Sequence, residues 1–252
     1  MTARSEVGQP SPLGLRLVHA ALFLAFAAGV GAASAPEWTH LVGALAQPFH
    51  AGAAPRWLVL AGSVLAAAGV VRLGWDLARG RSAPLWASGV ILLGVMATLA
   101  GGNPLGLEQS RAEVTANLEL LRVARRVHLQ MVHELQSHGE TPRSQEAWRA
   151  ALQQAGADDV RVYTRTFQPV RPQVAWMPSE SAVPEPLVPG QLAVHVTPDG
   201  VGFTVRLVGL EKGRPVLLED DQGATLILRG LYNPDLPPPS APQLAPSFPP
   251  TP

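Results

Sequence analysis

The sequence predicts a membrane protein in which three N-terminal transmembrane α-helices are followed by an extracytoplasmic α+β domain: a long helix, a short helix and an antiparallel β-meander. Three observations predict it. Residues 1–106 hold six Arg and three acids, against 13 basic and 16 acidic side chains in residues 107–252. Four of the six Trp, at 38, 57, 75 and 86, fall at the ends of apolar stretches. Beyond about Leu107 the apolar pattern takes first a helical period and then a period of two.

A bilayer core is roughly 30 Å thick and a helix rises about 1.5 Å per residue, so a span needs on the order of 20 apolar residues. Leu15 to Ala35, Trp57 to Trp75 and Leu85 to Gly101 meet that need, the last only with little tilt or a thinned bilayer. None has a charge at its centre, and the indoles at their ends suit a membrane–water boundary. Arg4 and Arg16 precede the first span and Arg72, Arg79 and Arg81 surround the second connection. Because cytoplasmic loops retain positive charge, the N-terminus is expected inside and everything after Gly102 outside, in the periplasm or its equivalent beyond a bacterial inner membrane. A cleaved signal peptide over residues 1–33, ending in Gly31-Ala32-Ala33, is the rival reading, and it leaves the second half on the same side. Between the first two spans, Trp38, Leu41, Val42 and Leu45 recur at helical spacing up to Pro48; a short interfacial helix or an apolar loop fits equally. Small residues (Gly62, Ala66, Gly69, Gly94) permit close helix approach, within this chain or between copies.

The exterior domain is expected over residues 107–232. A long amphipathic helix runs from Leu107 to Ser137 and ends at Gly139. Thr141-Pro142 reads as the N-cap and first turn of a second helix that Gly156 closes. Strands follow at Val160 to Phe167, Leu192 to Thr197, Val201 to Val208, Val216 to Glu219 and Thr225 to Arg229. Pro198-Asp199-Gly200, Glu211 to Arg214 and Asp220 to Gly223 reverse the chain between them. One apolar sheet face should pack on the long helix. Residues 168–190 carry six prolines and read as an extended insertion; residues 233–252 carry nine and read as a disordered or polyproline tail. This order of membrane helix, long helix and sheet resembles pilin-like subunits in architecture. Three spans, and no acid just inside the first, depart from that family's pattern.

Chemistry is sparse. The chain has no Cys, which removes disulfides, thiol catalysis and thiolate metal sites, and one Lys with no basic run, which argues against nucleic acid. His133-Glu134-Leu135-Gln136-Ser137-His138 resembles the zinc-protease pattern His-Glu-x-x-His with one residue too many, and that residue turns the two imidazoles about 140° apart on a helix. His128 reads as a hydrogen-bonded core or interface residue. Asp220-Asp221 suits a tight turn better than a cation site. The expectation is therefore no enzyme, cofactor or metal. The partners expected are the lipid bilayer and other envelope proteins, or copies of this chain, recognised through Leu120, Val123, Val127 and Met131 with the sheet edge and the Pro-rich insertion. A sensory or ligand-binding module signalling through a separate partner is the alternative.

Overall fold

The computed structural model describes residues 12–79, 81, 85–102, 111–156 and 161–235. The chain forms two compact units. One comprises Met1–Val42 and Ala54–Glu108, the other Gly43–Ala53 and Gln109–Pro252.

The first unit is built from α1 (Pro12–Ala46), α2 (Trp57–Ala78) and α3 (Leu85–Gly101). Within α1 and α2, Ala20–Ala46 and Trp57–Asp76 are long and apolar enough to cross a membrane. The 17 residues of α3 reach only about 26 Å at 1.5 Å each. One expectation is corrected here: no separate interfacial helix or loop covers residues 36–45, because α1 runs unbroken through Pro36. Proline there removes one backbone donor, and the surrounding Ala-rich sequence carries the helix past it.

α2 and α3 pack antiparallel through small residues. A Cβ on Gly94 would lie 2.6 Å from the Gly62 carbonyl oxygen and 2.7 Å from the Ala66 nitrogen, so the backbones touch where a side chain would stand. The buried Thr98 hydroxyl donates to the Gly94 carbonyl at 2.9 Å, which spends its polarity inside its own helix. Where α1 meets α2, the Trp38 indole donates to Ser63 Oγ at 3.0 Å, and the buried Glu37 accepts the Arg56 amide at 2.9 Å, at the start of α2.

The second unit contains β1 (Phe49–Ala51), α4 (Glu113–His138), α5 (Gln145–Gln154), β2 (Val162–Thr164), β3 (Gln173–Trp176), β4 (Gln191–Val196), β5 (Gly202–Glu211), β6 (Arg214–Leu217) and β7 (Ile227–Leu231). Gly139 ends α4 in the left-handed region (φ 75°) and returns its N–H to the Leu135 carbonyl. The cap of α5 is Ser144, whose hydroxyl accepts the Ala147 amide, and so lies three residues beyond the expected Thr141. Pro142 instead accepts the Trp148 indole N–H at 2.8 Å, and the buried indole lies edge-on to Phe203 in the core.

The sheet differs from the expected meander in four ways, one being that β7 pairs antiparallel with β5 and not with β6, because the long β5 leaves residues 202–206 free beyond its pairing with β6. It is mixed, because β3, inside the Pro-rich insertion, lies parallel to β4. The expected first strand is not part of it: β2 pairs antiparallel with β1 from the α1–α2 connection, and Phe167 (φ 59°) turns the chain away after three residues. Both sheet faces are covered. Leu192, Val194, Phe203 and Val205 pack on α4, while Ala193, Thr204, Arg206 and Val208, on the opposite face, are also buried. Residues 177–190 run close to that face: Arg206 donates to the Ala182 carbonyl and the His195 ring meets the Met177 carbonyl at 3.2 Å.

At the β5–β6 hairpin, Lys212 and Gly213 both take positive φ, the geometry of a two-residue type I′ turn. Their amides donate at 2.7 Å to the two carboxylate oxygens of Glu113, in the first turn of α4, fixing helix to sheet. The Pro-rich tail beyond Asp235 and the first turn of the expected long helix, residues 107–110, lie outside the described residues.

Candidate functional site

The four residues expected to recognise a partner are interior. Leu120, Val123, Val127 and Met131 are 1%, 6%, 0% and 2% exposed and pack among Leu192, Val194, Phe203 and Val205. The apolar arc of α4 is a stripe of buried side chains, and the sheet is what covers it. In this fold a partner reaches none of the four without opening the core. On the same helix Val114, Leu118 and Leu129 are the exposed large apolar side chains.

The sheet edge and the Pro-rich insertion, the other two parts of the expected recognition region, coincide. β3 ends the strand order β3-β4-β5-β6 and lies within the insertion. The Gln173 and Met177 amides point inward, donating to the Gly190 and Val194 carbonyls at 3.2 and 2.7 Å. Alternation then turns the Val174 and Trp176 amides outward, away from β4. Gln145 of α5 donates its side-chain amide to the Val174 carbonyl at 3.1 Å, and among the described residues no strand occupies that edge.

Beside this edge lies a cleft of about 280 Å³ between α5 and the start of β3. Its floor is apolar, from the buried Leu152 and Val174, and Gln153, Gln173 and Pro172 form part of its wall. Two exposed guanidinium groups, Arg149 and Arg171, line its mouth, and neither forms an ion pair with another described residue. Arg presents a rigid fork of donors that matches a carboxylate bidentately. The arrangement can therefore hold an anion above an apolar seat, next to free backbone donors. Neither arginine stood out in the sequence: one is a solvent-facing position of a short helix, the other follows Pro169-Val170, and only the packing of α5 on β3 unites them.

His128, His138 and His50 are engaged in structural contacts. His128 Nε2 lies 2.9 Å from the Arg229 carbonyl, its ring edge-on to Phe203. His138 pairs with Glu134 one turn earlier, at 3.2 Å. His50, buried at the β1–β2 pair, meets the Thr164 carbonyl at 3.0 Å beside the rings of Tyr163 and Phe167; burial lowers its pKa, and backbone hydrogen bonds to Ala51 and Thr164 only partly offset this. Among the described residues no group of three His, Asp or Glu side chains could hold a metal ion. Asp220 Oδ1 accepts the Gln222 and Ala224 amides at 2.9 and 3.0 Å, the local bonding that suits Asp to a turn.

Compared with protein-family models, with curated proteins and with solved structures, the chain matches none.

Proposed function

We propose that this chain is a non-enzymatic, membrane-anchored envelope protein whose α+β domain binds an extended segment of another envelope protein at the β3 edge. What carries the reading is the pair of guanidinium groups, Arg149 and Arg171, at a cleft that adjoins a sheet edge on which no further strand pairs among the described residues. A strand laid along β3 would take up the Val174 and Trp176 amides, the mode in which a peptide extends a sheet. An acidic side chain or terminal carboxylate of that strand would meet the two arginines.

Anchoring is supported by the two long apolar helices and by their surfaces. Leu22, Leu24, Phe26, Val64, Leu65 and Val71 are all exposed, which suits lipid better than water. In this reading α3 is a third, short span: its close antiparallel packing on α2, from Ala87 against Gly69 to Gly101 against Leu58, runs along most of α2. The arginine asymmetry of the sequence then places the N-terminus in the cytoplasm and the α+β domain outside.

The test is photocrosslinking in cells from a probe at Gln173, followed by mass spectrometry, in the native background and with Arg149→Glu/Arg171→Glu. A single crosslinked protein that the charge reversal abolishes, with the domain still folded, is the expected result. Crosslinks that survive the reversal, or an adduct only to lipid, would refute the site.

A further inference from the structure

The end of α2 and the start of α3 hold a cluster that the partner-binding reading leaves unused. Arg72 Nε lies 3.1 Å from the buried Asp76, and the Arg72 guanidinium lies 5.7 Å from the ring centroid of Trp86, across on α3. The Arg79 guanidinium stacks 4.0 Å over the ring of Trp75. Arg81, exposed, is held next to the helix end by its own amide, which donates to the Asp76 carbonyl at 2.9 Å. Asp76 neutralises Arg72, so two positive charges remain, on Arg79 and Arg81. Both indoles stay uncovered, Trp75 at 52% and Trp86 at 57% exposure.

We infer that these side chains bind the headgroup of an anionic phospholipid, its phosphate at Arg79 and Arg81 and its upper acyl chain against Trp75 and Trp86. The inference rests on the membrane reading given above. An indole is apolar over its ring and polar at its N–H, which suits the depth of the glycerol backbone. A guanidinium lying on a ring has already lost water from one face while keeping its edge N–H groups for a phosphate, so the cost of binding there is reduced. The buried Asp76 matters because it fixes Arg72, which otherwise would compete for the headgroup, and leaves the charge on Arg79 and Arg81. Charge complementarity selects an anionic over a zwitterionic lipid, by roughly fivefold for each free arginine.

The experiment uses the full chain reconstituted into vesicles of phosphatidylcholine and phosphatidylglycerol in equal parts, with flotation as one readout and native mass spectrometry of retained lipid as the other. The wild-type chain should float and retain phosphatidylglycerol in preference; Arg79→Gln/Arg81→Gln should float and lose the preference; Arg79→Lys/Arg81→Lys should keep most of it, and Arg125→Gln/Arg214→Gln, in the other unit, all of it. A preference that survives in the glutamine pair, or none in a wild-type chain that floats, overturns the site. A wild-type chain that does not float overturns the membrane reading itself.

Discussion

Asn117 and Leu210 hold each other through two hydrogen bonds: the Asn117 side-chain amide donates to the Leu210 carbonyl, and the Leu210 amide donates to Asn117 Oδ1, both at 2.8 Å. One asparagine on α4 thus satisfies both backbone groups of a residue near the end of β5. Replacing it with alanine leaves two buried main-chain groups without a partner. Asn117→Ala should therefore destabilise the α+β unit by about 2–3 kcal/mol, measured as a shift in its denaturant midpoint.

Burial of the α4 stripe sets a sharp contrast between two kinds of variant. Val123→Asp or Val127→Asp places an unpaired carboxylate among Leu192, Val194 and Phe203 and should cost on the order of 4 kcal/mol, seen as rapid limited proteolysis of the unit. Arg149→Glu/Arg171→Glu changes exposed side chains and should move stability by no more than about 0.5 kcal/mol. Equal effects of the two pairs would mean that the cleft is part of the core.

His50 makes the β1–β2 pair sensitive to acid. Its folded pKa lies below the ordinary value of 6.5 because burial disfavours the imidazolium. The sign follows: folding favours the neutral ring, so this contribution is complete above pH 6.5 and is lost as the pH falls from there towards the depressed value. The unfolding midpoint should drop between pH 7.5 and 5.5, and His50→Gln should flatten that dependence. A His50→Gln curve parallel to the wild type would show that the loss arises elsewhere.

The α2–α3 contact should not tolerate bulk. Gly94→Val directs a branched side chain at the Gly62 carbonyl and Ala66 nitrogen, forcing the helices apart at a cost of about 2 kcal/mol. Gly89 has open space around its Cβ position, so Gly89→Val should be nearly neutral. Comparing the thermal stability of the two variants in detergent checks the orientation of the hairpin.

The local features were legible from the sequence because each depends on neighbours along the chain. Gly139 closes α4 and Lys212-Gly213 turns a hairpin, both for reasons contained in a few consecutive residues. The α4 stripe was legible as apolar, yet whether a stripe faces a sheet or a partner depends on residues about 70 positions away. Tertiary structure alone made it core, brought the Pro-rich insertion in as a parallel edge strand, borrowed β1 from the α1–α2 connection to pair with β2, and set Arg149 beside Arg171. Periodicity reports which face of an element is apolar, whereas pairing and burial are decided by which distant segment satisfies the backbone and covers that face.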